Sequence, residues 1–458
     1  MDNGKNYQLS IGNYQLMKDS GVDWLGDIPA HWNIEKGKWI WKREKRPVRP
    51  EDEIVTAFRD GTVTLRKNRR EDGFTNSIFE IGYQGIRKGD LVIHGMDAFA
   101  GAIGVSDSDG KSTPVYSACT PVKDANPYYY AYLLKEMSRT GYIQSLARGI
   151  RERSTEFKYP QFADLLYPLP PLAEQTAIAD FLDRKTAQID QFVALKAQTI
   201  ALLQEQKTAL INAAVTGKLI MDNGQLTMDN SQLSIVNSQL KKDSGIEWLG
   251  EIPAHWEVMN IKYVLRRIID TEHKTAPFFD NGEYFVCRTS NVKGGQLVMT
   301  DARYTDIEGY REWTRRGKPE PGDIIFTREA PAGEACVVPD DMTVILGQRT
   351  VLFKVNHEML NEKFGVYSIY GGLASHYIML LSQGSTVAHF NMSDIRNIPM
   401  LIPPLDEQHQ IVAHIEQATA KIEQAIAQAQ QQIDLIKEYR ESLISQAVTG
   451  KIKVIDNG

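Results

Sequence analysis

The stretch Asp19-Ser20-Gly21-Val22-Asp23-Trp24-Leu25-Gly26-Asp27-Ile28-Pro29-Ala30-His31-Trp32 decides the fold, because the chain writes it twice. It returns, 224 residues on, as Asp243-Ser244-Gly245-Ile246-Glu247-Trp248-Leu249-Gly250-Glu251-Ile252-Pro253-Ala254-His255-Trp256. Two further elements repeat at an offset of 233: Pro170-Pro171-Leu172-Ala173-Glu174-Gln175 as Pro403-Pro404-Leu405-Asp406-Glu407-Gln408, and Ala214-Val215-Thr216-Gly217-Lys218 as Ala447-Val448-Thr449-Gly450-Lys451. The second copy is therefore nine residues longer. Because Gly89-Asp90 already meets Gly322-Asp323 at 233, the insertion falls in the first half of the unit. Between these anchors the copies diverge, which is the pattern of a fixed frame carrying two variable heads. Two units of this length are too few for a solenoid.

The frame contains long helices. Apolar residues fall at Ile178, Leu182, Ile189, Val193, Ile200, Leu203 and Leu210, and again at Ile411, Ile415, Ile422, Ile426, Ile433, Ile436 and Leu443. Steps of three, four and seven make a coiled-coil stripe, and Ala, Gln, Lys and Glu fill the other faces. Pro171 and Pro404 stand where a helix starts, Gly217 and Gly450 where one stops. The obvious cover for each stripe is the other helix. Each head reads as mixed α/β, with strands such as Leu91-Val92-Ile93 and Thr350-Val351-Leu352-Phe353 and one clear helix near residues 128–137 and 362–369. The stretches after Met1-Asp2-Asn3-Gly4 and Met221-Asp222-Asn223-Gly224 are rich in Gln, Ser and Asn and read as polar linkers. An antiparallel helix pair would bring the two chain ends near each other.

Composition narrows the function classes. The 458 residues are 42% hydrophobic and 24% charged, as in a globular protein, and no apolar run reaches the ~18 residues of a membrane helix. The first residues do not form a signal peptide. Cys119, Cys287 and Cys336 lie far apart, which suits a reducing cytoplasm better than a disulfide framework or zinc site.

A search for catalytic chemistry finds little. The chain has no phosphate-loop motif and no dinucleotide fingerprint. Asn126-Pro127-Tyr128-Tyr129 falls short of an adenine-methyltransferase motif and reads as a helix start. Glu156-Phe157-Lys158 lacks the rest of a nuclease metal site, since the other copy has His389-Phe390-Asn391 there. His31 and His255, beside Pro and Trp, read as structural.

Charge is distributed unevenly beneath the net −6. Residues 32–171 carry 22 Lys and Arg against 18 Asp and Glu; residues 256–404 carry 16 against 18. The remainder carries 14 against 22, so acid collects in helices and linkers while the first head is basic. Its clusters are Arg66, Lys67, Arg69 and Arg70, then Arg148, Arg151 and Arg153. The second head offers Arg288, Thr289, Ser290 and Asn291, then Arg315, Arg316 and Lys318, then Arg328, Gln348 and Arg349. Arg and Lys pair with guanine edges, Asn and Gln with adenine, and all hold phosphates, so these are the candidate DNA contacts. Two other readings of the same features are a coiled-coil scaffold for protein partners and a stand-alone nuclease or methyltransferase.

The chain resembles the specificity subunits of type I restriction-modification systems. The doubled Trp-Leu-Gly-x-Ile-Pro-Ala-His-Trp, Gly-Asp, Pro-Pro-Leu-x-Glu-Gln and Ala-Val-Thr-Gly-Lys elements carry that resemblance over nearly the whole length. It implies an α/β (α+β) fold with two target-recognition domains, residues 19–169 and 243–402. These are separated by two helices, 170–218 and 403–453, forming an antiparallel coiled coil, with linkers at 1–18 and 219–242 and a tail at 454–458. It implies a non-catalytic subunit that reads one half of an asymmetric bipartite site in double-stranded DNA with each head. The implied partners are two modification (methyltransferase) subunits, docked around Glu174, Gln175, Glu407 and Gln408, and restriction endonuclease subunits where a system has them. S-adenosylmethionine, with ATP and Mg2+ for the endonuclease, would serve those partners, and no cofactor is expected on this chain.

Overall fold

The computed structural model describes residues 9–14, 16–69, 80–146, 156–222, 225–228, 240–272, 274–382 and 389–456. Four helices organise it: α1 (Pro127–Arg139), α2 (Leu172–Val215), α3 (Glu362–Tyr370) and α4 (Leu405–Val448). The chain divides into two compact units: residues 1–196 with 431–458, and residues 197–430. Each unit is thus one head with half of each long helix, and the division falls inside the helices rather than at the head boundaries.

In the first unit a four-stranded antiparallel sheet runs in the order Ile103–Val105, Leu91–His94, Tyr116–Pro121, Trp41–Arg43. The second unit has the same order: Ala332–Val337, Ile324–Arg328, Thr350–Val355, Leu265–Asp270. The frame strands correspond as well, Asn33–Lys36 pairing Leu166–Leu169 as Glu257–Asn260 pairs Pro399–Ile402. The heads differ between the first and second sheet strands in sequence, where the nine extra residues lie. There the first unit makes a hairpin, Val55–Ala57 with Val63–Leu65. The second pairs Tyr284–Cys287 antiparallel with Tyr304–Thr305 and, over three residues, parallel with the later strand Val344–Leu346, a contact that the first unit makes as the single bridge of Ile54 with Lys111.

The long helices pair antiparallel. In the first unit Asp190 of α2 meets Arg440 of α4 at 2.6 Å, and in the second Lys207 of α2 meets Glu423 of α4 at 2.5 Å. Seventeen residues forward on one helix are seventeen backward on the other. Where a head packs on the helices the stripe is buried, at Ile178, Leu182, Ile411 and Ile415; Val193, Ile200, Leu203 and Ile426 are half-buried. A two-helix layer covers only one flank of each stripe residue, which accounts for the difference.

The repeated motifs are the joints of each unit. Gly217 and Gly450 end their helices in the left-handed region, at φ 71° and 72°. A Cβ on Gly217 would run into Pro253, and one on Gly450 into Pro29. Each helix end therefore packs on the Ile-Pro-Ala-His-Trp segment of the other copy, with Tyr129 donating its hydroxyl proton to the Val448 carbonyl at 2.8 Å in the first unit. Both stretches read as linkers hold strands. Leu9–Gly12 pairs antiparallel with Lys453–Asp456, which sets the two ends of the described chain side by side. Leu219–Asp222 folds back on Gln225–Met228. Asn126 caps α1, its side-chain oxygen accepting the Tyr128 N–H at 2.9 Å, so Asn126-Pro127 is a helix start. The three cysteines are free thiols, all buried. No described helix is long and apolar enough to cross a membrane.

Candidate nucleic-acid interface

Both long helices begin with a glutamate and a glutamine that face opposite tasks. Glu174 accepts the Trp32 indole N–H at 2.9 Å and the Tyr14 hydroxyl at 3.0 Å, and bonds the His31 ring at 2.6 Å. Glu407 accepts from Trp256 at 3.1 Å and bonds His255 at 2.7 Å. Each carboxylate thereby ties a helix N-terminus, where negative charge is favoured, to the Ala-His-Trp segment of its own copy. His31 and His255 are structural in just this sense. Gln175 is wholly buried: its side-chain oxygen accepts the Asn126 N–H at 2.8 Å, and its amide donates to the Asp124 and Pro170 carbonyls at 3.2 and 2.8 Å. Gln408 does the same with Asn361 N–H and the Met359 and Pro403 carbonyls. A partner-facing role for these two glutamines is therefore replaced by an internal one: their amides satisfy backbone groups, and no side-chain surface remains.

In the first unit the basic cluster sits on the one-turn helix Arg66–Asn68 that follows the hairpin. Lys67 pairs with Glu53 at 2.5 Å, and the Arg66 Nε donates to Thr56 Oγ1 at 3.2 Å. Arg69 pairs with Asp60 at 2.6 Å and lies 4.5 Å from the centre of the Phe58 ring. The Arg69 guanidinium holds the Asp60 carboxyl down to about 2, overcoming the opposing effect of partial burial. Lys67 and Arg69 are exposed yet already engaged by carboxylates, while Arg66 is half-buried against the threonine hydroxyl. Arg70, Arg148, Arg151 and Arg153 lie outside the described residues.

In the second unit the structure gathers five of the ten sequence-selected residues around one cleft of about 170 Å3: Arg288, Thr289, Ser290, Gln348 and Arg349. The topology explains this. The parallel strands Tyr284–Cys287 and Val344–Leu346 run side by side and deliver their carboxyl ends to the same place. The first continues into Arg288 and the turn Thr289–Asn291, and the second into Gly347-Gln348-Arg349. The Gly347 N–H bonds the Cys287 carbonyl at 2.8 Å, an approach that leaves little room for a side chain.

The other five are placed differently. Asn291 is wholly buried, accepting the Arg288 N–H and donating to the Val298 and Thr300 carbonyls, so it shapes the turn and does not face solvent. Arg328 is buried too, with both Asp270 oxygens at 3.0 Å and the His389 ring at 3.3 Å, and braces the sheet. Arg316 pairs with Glu272 at 3.0 Å. Arg315 and Lys318 are exposed on the loop after Ile307–Trp313.

Two cleft residues escape a reading by clusters. Arg303 and Phe278 also line it, the Arg303 guanidinium carbon lying 4.3 Å from the centre of the Phe278 ring. Phe278 and Phe279 are about half exposed, an apolar doublet between Pro277 and the turn Asp280-Asn281-Gly282. That doublet is the signal available in the sequence. Among the described residues no cluster of three or more His, Cys, Asp or Glu is placed to hold a metal ion.

Comparison with known proteins shows what these features resemble. Residues 253–433 match the model of the type I restriction modification DNA specificity domain. The chain is similar to the type I restriction enzyme EcoBI specificity subunit of Escherichia coli, 23% identical over 295 residues. That match takes in 63% of this chain and 59% of the relative, so the chain spans less than two thirds of that relative's length. Two solved structures share the fold. One comes from work on complex assembly and conformational transition of the type I R-M system, with a TM-score of 0.64, 14% identity, and coverage of 93% of this chain and 99% of that one. The other is the HsdS subunit from Thermoanaerobacter tengcongensis, with a TM-score of 0.51, 16% identity, and coverage of 93% and 98%. With its doubled frame and paired helices, the chain carries a type I restriction modification DNA specificity domain at residues 253–433 and is similar in sequence and fold to type I specificity subunits.

Proposed function

We propose that this chain is the non-catalytic DNA-reading subunit of a type I complex, each unit recognising one half of an asymmetric bipartite duplex site. The observation that carries this reading is the contrast between the units. Their frames share strand order, helix joints and motif contacts, while the segments holding the basic clusters are built differently. One frame used twice needs one kind of partner on each copy; two different inserts read two different sequences.

In this reading two methyltransferase subunits bind the frame and methylate adenine, using S-adenosylmethionine held by them. Endonuclease subunits, with ATP and Mg2+, add restriction, and the setting is the cytoplasm. With Gln175 and Gln408 consumed internally, the exposed surface of α2 and α4 is left to those partners.

The test is to co-express the chain with the methyltransferase subunit of its own system and map N6-methyladenine across the host genome. A split, asymmetric motif that appears only with this chain supports the reading. An assembled complex that leaves no such motif overturns it and favours a protein-binding scaffold.

A further inference from the structure

The cleft of the second unit carries more than a generic affinity for DNA. Three guanidinium groups, Arg288, Arg303 and Arg349, converge on it with the Gln348 amide, and no carboxylate is among its lining residues. Glu329 reaches Arg349 from outside at 3.4 Å. The Arg288 Nη2 donates to the Asp301 carbonyl at 2.7 Å, while its buried Nε has no partner among the described residues.

Backbone strain collects at the same place. Among the described residues the non-glycine positions in the left-handed region are Asp301, Ala330 and Arg349, at φ 50°, 49° and 74°. Asp301 holds Arg288 through its carbonyl, Ala330 accepts the Thr289 hydroxyl at 2.9 Å, and Arg349 lines the cleft itself. Such positions cost free energy and persist where the surrounding structure fixes a functional geometry.

We propose that this cleft is the base-reading site of the second unit and takes the O6/N7 edge of a guanine, with Arg303 and Arg349 as specificity-determining residues. The inference rests on the function proposed above. Guanine alone presents two acceptors in the major groove, and the planar guanidinium fork matches them; cytosine presents a donor and calls for a carboxylate, which the lining lacks. The Phe278 ring, 4.3 Å from the Arg303 guanidinium carbon, restrains that fork before any base arrives, so less freedom is lost on binding. Arg288, held by Asp301, supplies fixed charge behind them.

The test uses the full chain assembled with its methyltransferase subunit. Competition binding is measured on duplexes carrying the mapped site and every single-base change of it, for wild type, Arg303→Ala, Arg303→Lys and Arg349→Ala. Each alanine variant should lower discrimination about 5- to 150-fold at one guanine, in one half-site, leaving the other half-site unchanged. Arg303→Lys should regain affinity without regaining that discrimination, because it keeps the charge and loses the fork. Even weakening across all duplexes would make the residues phosphate contacts and overturn the proposal. So would an unchanged profile, or a loss of discrimination at a base other than guanine. A wild-type complex with no split-site preference would instead remove the function reading, and this inference with it.

Discussion

The Glu174 carboxylate accepts the indole proton of Trp32 at 2.9 Å, joining residues 142 positions apart, and the second copy repeats the bond between Glu407 and Trp256. Trp32 is wholly buried, so its N–H has no water to turn to. Glu174→Ala should cost about 1–3 kcal/mol, the penalty for orphaning a buried donor. It should lower the thermal transition of the first unit; Glu407→Ala should do so for the second. An unchanged melting profile for both would refute the latch.

Gln175 and Gln408 each satisfy three backbone groups while fully buried. Gln175→Ala should therefore destabilise the first unit by roughly 2–4 kcal/mol, more than one orphaned group alone. Denaturant unfolding of the full chain checks this. A variant of normal stability that fails to recruit a methyltransferase subunit would return Gln175 to a partner-facing role.

Arg328 bonds both oxygens of Asp270 with its own side chain only 8% exposed. Arg328→Ala leaves Asp270 without this partner and should cost about 3 kcal/mol, the low end for a buried pair because Asp270 is a quarter exposed. In binding assays its base preferences should match wild type once stability is allowed for. A selective loss at one base would make it a reader.

Asp60 has its carboxyl held to about 2 by Arg69, below its ordinary 3.8. A depressed carboxyl favours the folded state above its unfolded value, and that contribution fades as pH falls from about 4 through about 2. NMR titration of Asp60 should find its midpoint near 2 in wild type and near the ordinary value in Arg69→Ala. Equal midpoints would show that the pair does not persist in solution. Both groups are about half exposed, so solvent screening keeps the effect on stability small.

The frame was readable in the sequence because its contacts are made by motifs that occur twice. The spacing of Trp32, Glu174 and Gly450, matched by Trp256, Glu407 and Gly217, marks joints before any contact is known. The antiparallel helices follow from the same symmetry, and the pairing of Leu9–Gly12 with Lys453–Asp456 agrees with chain ends that meet. The cleft was half readable. Arg288 and Arg349 stand out as polar runs at strand ends, but Arg303, alone between Ala302 and Tyr304, joins them only through the pairing of Tyr304–Thr305 with Tyr284–Cys287. Burial was not readable at all for Asn291, Arg328 and Gln175. An amide or guanidinium looks the same in a sequence whether it faces solvent or satisfies the backbone, and long-range packing decides which.

The central claim is that one frame holds two independent readers. The most direct measurement replaces residues 257–402 with residues 33–169, so that both frames carry the first head, and maps N6-methyladenine in cells expressing the methyltransferase subunit. The account predicts a symmetric split motif, the first unit's half-site written twice in opposite orientation. An assembled complex that keeps the original asymmetric motif, or that directs no methylation, would contradict it.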